Sequence, residues 1–422
     1  MKRYEEYKDT VIPWLNCIPA HWVEMRAKYL FYKENRLPLE SDEVITCFRD
    51  GVVTLRKNRR TTGFTESLKE IGYQGIKKGD LVIHQMDAFA GAVGVSDSDG
   101  KGTPVYSVCT PKDGAILTKY YAKVIRHMGL NGFIQSLYRG IRERSSDFRF
   151  ETFAKQILPV PPLAEQEKIV SFLESKTLSI DAYVAERERE LQLLNELKES
   201  EIANVITRGL NPDVKMKDSG IPWIGMIPEH WKCTQLRSYL RMVSIKNKPT
   251  EQLLSVVREK GVIVRDVESK EENHNYIPDD LSGYKYVSEG QFVINKMKAW
   301  QGSYAVSKYN GIVSPAYYVC DLKFPNKDFF NLAIRSKFYI PFFTQFSKGI
   351  RVGQWDLSPI GLKSIPFFEP PIEEQKAIVA YIEDKCNKIS SLICELEAEI
   401  EYLKEYKQKL IADCVTGQIN VQ

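Results

Sequence analysis

The chain has 422 residues of ordinary composition, and at roughly 100–200 residues per domain this length predicts two to four domains. No apolar run approaches the ~20 residues of a membrane-spanning helix, and the polar first ten residues lack the apolar stretch of a signal peptide, so we expect a cytoplasmic protein that does not contact a membrane. The net charge of +4 is small for this length, so any nucleic-acid-binding surface must be local.

The chain begins with a block that occurs twice. Residues 8–22 contain two Ile-Pro units and end in Pro-x-His-Trp, and residues 217–231 repeat this pattern 209 positions later. Proline at these spacings cannot continue a helix or a central strand. We therefore expect an extended segment pinned by its tryptophans, with His21 and His230 in structural rather than catalytic roles.

A globular segment follows in each copy. Residues 44–48 predict a strand that ends in an Arg-Asp-Gly turn, with a counterpart at residues 254–261. The copies then diverge, and similarity returns at residues 72–83 and 283–294, now 211 positions apart. Short β-rich runs between glycine-containing turns predict a mixed α and β globule. In these runs we expect Met86, Met297, Phe89 and Trp300 to lie in the core rather than to stack on bases.

Each globule leads into a long helix. Pro-Pro-x-x-Glu-Gln begins at Pro161 and again at Pro370, and two prolines before an apolar-periodic run are typical of a helix start. Apolar residues then recur at alternating spacings of three and four, which predicts a coiled-coil seam over residues 163–205 and 372–414. The seam residues are Leu173, Ile180, Val184, Leu191 and Leu194 in the first helix, and Ile382, Ile389, Ile393, Leu396, Ile400 and Leu403 in the second.

A seam of this length is not stable alone in water, so each helix needs a partner, and the other copy is spaced for it. We therefore predict an α+β chain in which two homologous globules alternate with two long helices that pair as an antiparallel coiled coil. The predicted borders place the globules at residues 1–160 and 212–369. The helices with their linkers occupy residues 161–211 and 370–422.

Catalytic motifs are not found in the sequence. There is no phosphate-binding glycine loop, no Asn-Pro-Pro-aromatic element of adenine methyltransferases, no His-Glu-x-x-His and no clustered metal ligands. The sequence thus indicates a binding protein with no enzymatic activity of its own, no metal site and no cofactor.

Basic, amide and aromatic residues in the globules permit contact with nucleic acid, because Arg and Lys hold phosphates while Arg, Gln and Asn read base edges. A solvated charged face is the alternative. The candidates in the first globule are Arg56, Lys57, Arg59, Arg60, Gln85, Arg142 and Arg144; those in the second are Lys296, Lys298, Gln301, Arg351 and Gln354.

The blocks at residues 217–231, 297–302 and 349–376, together with the two-copy organisation, resemble the specificity (S) subunit of type I restriction–modification systems over essentially the whole chain. The first copy departs from the pattern, because Asp87 and Phe89 replace Lys298 and Trp300. The resemblance implies two target-recognition domains that each read one half of an asymmetric double-stranded DNA site.

The resemblance also implies partners. Two methylase (M) subunits would dock on the helices and bind S-adenosylmethionine, and two restriction (R) subunits would bring ATP and Mg²⁺. Helices of some forty residues span roughly 60 Å, so they would act as a ruler that fixes the gap between the half-sites. The alternatives are a coiled-coil scaffold with two protein-binding domains and no nucleic-acid role, or a self-contained enzyme with a hidden active site.

Overall fold

The structure is a computed structural model that describes residues 2–59, 71–137, 147–266, 277–278, 280–349 and 355–421. It divides into two compact units. Unit 1 is Met1–Glu188 with Ala398–Gln422, and unit 2 is Arg189–Glu397. This division passes through the middle of both long helices, whereas the borders predicted from sequence separate the helices from the globules.

Unit 1 contains twelve described strands, four short helices and part of each long helix. The strands are β1 (Tyr7–Asp9), β2 (Cys17–Pro19), β3 (Val23–Arg26), β4 (Phe31–Lys33), β5 (Ile45–Cys47), β6 (Val53–Leu55), β7 (Gln74–Ile76), β8 (Leu81–His84), β9 (Val93–Val95), β10 (Gly100–Gly102), β11 (Tyr106–Pro111) and β12 (Ile157–Val160). The helices are α1 (Ala27–Leu30), α2 (Thr118–Leu130), α3 (Phe133–Ser136), α4 (Phe150–Phe153) and the long α5 (Leu163–Arg208), with 3-10 turns at Arg56–Asn58 and Ala88–Ala90.

The central sheet of unit 1 has the antiparallel order β4-β11-β8-β9. Strand β8 of this sheet is buried on both sides, and its alternate residues point to opposite faces. Leu81 and Ile83 join the main core with the aromatic residues of α2, while Val82 faces a second cluster with the β5–β6 hairpin. Strand β1 pairs with β2, and β3 with β12.

Unit 2 repeats this arrangement. Its strands are β13 (Met216–Asp218), β14 (Met226–Pro228), β15 (Lys232–Gln235), β16 (Leu240–Val243), β17 (Leu254–Val257), β18 (Gly261–Val264), β19 (Lys285–Val287), β20 (Phe292–Asn295), β21 (Tyr304–Val306), β22 (Gly311–Val313), β23 (Tyr317–Leu322), β24 (Ser347–Lys348), β25 (Asp356–Leu357) and β26 (Pro366–Glu369). The helices are α6 (Lys327–Arg335), α7 (Ile340–Gln345), α8 (Pro359–Ser364) and the long α9 (Ile372–Val415), with 3-10 turns at Leu236–Ser238, Ala299–Gln301 and Lys337–Tyr339. The sheet order β16-β23-β20-β21 matches that of unit 1 strand for strand.

The long helices pair in opposite directions within each unit. In unit 1, Asp181 of α5 contacts Lys407 of α9 and Glu188 contacts Lys404, so one residue number rises as the other falls. In unit 2, Lys198 and Glu201 contact Ser390 and Tyr381 in the same sense. The predicted fold, with two mixed α and β globules and paired long helices, is confirmed.

The predicted seam residues all lie inward to some degree. Leu173, Ile382, Ile389, Leu396 and Ile400 are buried. The half-buried ones are Ile180, Val184, Leu191, Leu194, Ile393 and Leu403. Among the described residues no helix is both long enough and apolar enough to cross a membrane.

Candidate nucleic-acid interface

A side-chain anchor fixes each globule to the start of a long helix. In unit 1 the indole nitrogen of buried Trp22 donates to Oε2 of Glu165 at 3.0 Å, and Nε2 of His21 lies 2.9 Å from the same oxygen. Glu165 is only 3% exposed, so its carboxylate needs these partners. The two motifs that repeat in sequence therefore meet in space.

Unit 2 builds the same anchor. The indole nitrogen of Trp231 donates to Oε2 of Glu374 at 3.2 Å, and Nε2 of His230 lies 2.8 Å from it. The histidines thus contact structural carboxylates at the helix starts. We refer to these two groups of three residues as the anchors.

The glutamine after each anchor glutamate forms a hydrogen bond to the first proline of the preceding proline pair. Nε2 of Gln166 donates to the carbonyl of Pro161, and Gln375 does the same to Pro370. Gln166 also donates to the Ala115 carbonyl at 2.9 Å, and its Oε1 accepts from the Leu117 amide just before α2. The start of α5 is therefore held to the globule through its own side chain.

The 3-10 turn that follows β8 in unit 1 and β20 in unit 2 carries different side chains in the two units. Gly91 ends the turn in unit 1 with φ of 87°, and Gly302 ends it in unit 2 with φ of 94°, a region that favours glycine. Asp87 in the first turn pairs with Arg49 at 2.9 Å, whereas its counterpart Lys298 is exposed and makes no ion pair within the described residues. The same turn conformation therefore presents a paired carboxylate in unit 1 and an exposed ammonium group in unit 2.

The described candidates of unit 1 lie in and just after the 3-10 turn at Arg56–Asn58, which follows the β5–β6 hairpin, and beside the turn at Ala88–Ala90. Arg59 pairs with Asp50 at 2.6 Å and lies over the Phe48 ring, and Lys57 pairs with Glu43. Nε of Arg56 is 3.4 Å from the Thr46 hydroxyl, and Gln85 donates weakly to Ser107. The pair Arg49–Asp87 links the hairpin to the turn, so these candidates occupy neighbouring elements.

The described candidates of unit 2 gather at its turn. Lys296 donates to Asp356 at 2.9 Å, and this hydrogen bond raises the pKa of its ammonium group. Lys298 is exposed and Gln301 is half-buried one turn away. Arg60, Arg142, Arg144, Arg351 and Gln354 lie outside the described residues.

The expectation that all four large side chains near the turns lie in the core is wrong for the methionines. Met86 and Met297 are 48% and 43% exposed, because the 3-10 turn buries the alanine that follows two positions later and leaves the methionine outside. Phe89 packs against the core, and Trp300 packs against Trp355 with ring centroids 5.0 Å apart.

A basic edge that sequence patterns did not single out is common to both units. Strand β4 and strand β16 each form one edge of their sheet, and exposed positions on and beside them carry cationic or aromatic side chains. The equivalent pairs are Lys28 and Arg237, Tyr32 and Arg241, and Lys112 and Lys323. The sequence offsets of 209 and 211 relate these pairs, but only the structure shows that all six positions are exposed at a sheet edge. Among the described residues no group of His, Cys, Asp and Glu has the arrangement of a metal site.

Comparisons with known proteins agree with this architecture. No protein-family model matches the chain. A protein of Methanocaldococcus jannaschii that carries the assignment of type I restriction enzyme MjaX specificity subunit is 24% identical over 323 residues, which cover 74% of this chain and 70% of that protein.

Two solved structures share the fold. A chain from a study of complex assembly and conformational transition of the type I R-M system superposes with a TM-score of 0.67 at 14% identity, covering 95% of this chain and 99% of that chain. The HsdS subunit from Thermoanaerobacter tengcongensis gives a TM-score of 0.56 at 14% identity, covering 97% and 100%. The resemblance to specificity subunits that the repeated motifs indicated is confirmed.

Proposed function

We propose that this chain is the DNA-recognition subunit of a type I restriction–modification system. It reads an asymmetric duplex site in two halves, one half with each globule, and recruits methylase and restriction subunits to that site. The observation that carries this proposal is the presence of one fold twice in one chain, with different side chains on the same turn.

The turns supply the difference between the two half-sites. Phosphates are alike along any duplex, so sequence preference has to come from groups that differ between readers. Asp87 forms an ion pair with Arg49, whereas Lys298 is exposed near Gln301. A lysine and an amide can contact acceptors on base edges in the major groove, and the first turn cannot do so in the same way. Two different half-sites follow from this divergence.

The basic edge supplies what the two half-sites have in common. Lys28 and Lys112 in unit 1 correspond to Arg237 and Lys323 in unit 2, and all four are exposed. Positive charge kept at equivalent positions, while the turns diverge, suits contact with phosphates of any sequence. Such contacts make duplex affinity fall steeply with salt.

The paired helices carry matching apolar surfaces for partner subunits. Tyr183, Tyr402 and Tyr406 are exposed in unit 1, and the residues 209 positions away, Leu392, Leu193 and Leu197, are exposed in unit 2. Repeated exposed apolar side chains on paired helices are typical of protein interfaces. Two equivalent surfaces are suited to two copies of the same partner, which we identify with the methylase subunit.

Chemistry belongs to the partners in this proposal. The methylase subunit would bind S-adenosylmethionine and flip the target base, and the restriction subunit would use ATP and Mg²⁺. This chain contributes position and sequence choice and acts without a catalytic residue of its own.

The test is binding of the purified complex of this chain with its methylase to duplex DNA. The methylated motif is first identified by single-molecule sequencing of the host genome. We expect preference for that motif over a scrambled duplex, with affinity falling as salt rises. Equal affinity for both duplexes would reject the proposal, and binding of protein partners with no salt-dependent DNA binding would favour a scaffold.

A further inference from the structure

A cavity of about 860 Å³ lies within unit 1 between α2, the first half of α5 and the last part of α9. Strand β9 and the turn at Gly51 close its far side. The volume falls within the range of small-molecule binding sites. Six cationic and four carboxylate side chains line it: Lys119, Lys123, Arg126, Lys404, Lys407 and Lys409, with Asp50, Glu174, Asp181 and Glu405.

Three of the six cations are already in ion pairs, among them Lys404 with Glu188 at 3.6 Å. Lys119 pairs with Glu174 at 2.9 Å, and Lys407 pairs with Asp181 at 2.5 Å. Lys123, Arg126 and Lys409 have no ion pair within the described part of the chain; of the two lysines, Lys123 is half-buried and Lys409 is exposed. Burial lowers the pKa of its ammonium group, and Arg126, Lys119 and Lys407 lower it further, while Glu174 opposes them. Lys123 is thus a partly buried ammonium group without an ion-pair partner among the described residues.

The second copy shows that Lys123 is dispensable for the fold. Helix α2 begins at Thr118 and helix α6 begins 209 positions later, at Lys327. Lys123 therefore corresponds to Leu332, and Lys119 to Asp328. Leu332 packs against the apolar core of unit 2. The same helix position therefore accepts an apolar side chain in unit 2, so the fold does not require a lysine there.

Arg126 behaves in the opposite way and serves as an internal reference. Its guanidinium lies against Gly51 and donates to the Gly91 carbonyl at 3.2 Å. Its counterpart Arg335 lies against Gly261 and donates to the backbone carbonyls of Arg258 and Glu259 in the β17–β18 hairpin. This arginine is shared and structural, whereas Lys123 is particular to unit 1.

We propose that this cavity binds a small phosphate-bearing molecule, with the Lys123 ammonium group as its main charge partner. A lysine acts on phosphate as a compact point charge. Arg126 and Lys409, which also have no ion pair among the described residues, line the same cavity. The space accommodates a ligand as large as a nucleotide. Because α2 belongs to the globule and α9 to the helix pair, such a ligand bridges the two parts of unit 1 and stabilises that unit alone.

The inference is tested on the full chain without DNA or partner subunits, so its outcome is independent of the proposed function. Thermal unfolding and calorimetric titration are measured with sodium phosphate, pyrophosphate and ATP at constant ionic strength. Adenosine and sodium chloride serve as blanks. We expect the phosphate-bearing probes to raise the unfolding temperature, because a ligand that binds only the folded state stabilises it. Binding of ATP alone would indicate a nucleotide, and binding of all three a simple phosphate site.

Lys123→Leu introduces the residue of the second copy, and Lys123→Gln is a second variant that keeps a polar end. Both are expected to weaken probe binding at least tenfold. Lys176→Leu removes an exposed lysine of α5 that does not line the cavity, and it should bind as the unaltered chain does. The inference is overturned if no phosphate probe binds, if both Lys123 variants bind normally, or if adenosine binds as well as ATP.

Discussion

The indole nitrogen of Trp22 donates a 3.0 Å hydrogen bond to Glu165, a residue 143 positions further along the chain. Trp231 and Glu374 repeat the bond at 3.2 Å over the same separation. Each long helix is thus joined to the segment that opens its own globule. The packing of the tryptophan in the globule therefore fixes the orientation of the helix start.

Removing the carboxylate should destabilise unit 1 more than unit 2. Glu165→Ala leaves the buried Trp22 donor unpaired, which costs about 1–3 kcal/mol. Glu374 is 22% exposed, so water can replace it and Glu374→Ala should cost less. Urea unfolding followed by tryptophan fluorescence measures both. A larger loss for Glu374→Ala would contradict this account of the anchors.

Gly417 closes the end of α9 against the first anchor and should not tolerate a side chain. Its φ is 73°, and a Cβ would lie 2.5 Å from the Pro19 ring and 2.9 Å from Trp22. We expect Gly417→Ala to lower the free energy of unfolding by more than about 2 kcal/mol, the left-handed backbone alone costing about 1–2 kcal/mol. Gly220 has φ of 74° with open space around it, so Gly220→Ala is the control that reports backbone strain alone. Equal losses would show that the contact with Pro19 is unimportant.

Charge removal at the two recognition surfaces should affect separate halves of the DNA site. Lys298→Ala should change base preference only in the half-site read by unit 2, and Lys57→Ala only in the other. Competition binding of the complex with the methylase, using duplexes varied in one half at a time, measures both effects. Altered preference in both halves from Lys298→Ala would contradict the division of labour.

Partner stoichiometry should follow the exposed apolar surfaces. Leu193→Asp with Leu197→Asp places two charges in the proposed methylase contact of unit 2, where burying an unpaired charge is unfavourable. Native mass spectrometry should then show one methylase per chain in place of two. Leu178→Asp is the control, because Leu178 is exposed but its counterpart is the polar Asn387. Retention of two methylases in the double variant would reject this surface.

Helix length should set the distance between the half-sites. Inserting four residues after Leu191 and four after Ile400 lengthens both helices by about 6 Å each, at about 1.5 Å per residue. We expect a longer non-specific spacer with both half-sites unchanged, read from the methylated motif of cells that carry the variant. Changed half-sites with an unchanged spacer would contradict the claim that helix length sets the distance between the half-sites.

The repeat made most of the fold predictable from sequence. The two helix starts at Leu163 and Ile372 were predicted to the residue, because prolines and an apolar period are local signals. The helix ends were predicted within three residues, with glycine just beyond each. The offset of 209 in the scaffold and 211 inside the globule correctly placed equivalent strands, such as Leu81–His84 and Phe292–Asn295.

Contacts between distant side chains were not predictable in the same way. The histidines and the glutamates were each recognised as repeated residues, but nothing in a local pattern says that His21 meets Glu165. Exposure of Met86 depends on the path of a single turn, and an apolar residue beside a strand reads as core. One lysine in a helix carries no signal until its counterpart Leu332 is placed beside it, so Lys123 is not predictable as a site residue from local sequence.

Unit 1 brings residues from both extremes of the numbering together. Lys2 pairs with Asn420, and the Tyr7 hydroxyl donates to the Gly417 carbonyl at 3.1 Å. A short peptide is therefore long enough to join residues 2 and 420. A circular permutant that joins Lys2 to Asn420 by a short peptide and opens at Asn211 should fold to the same structure with its repeats exchanged.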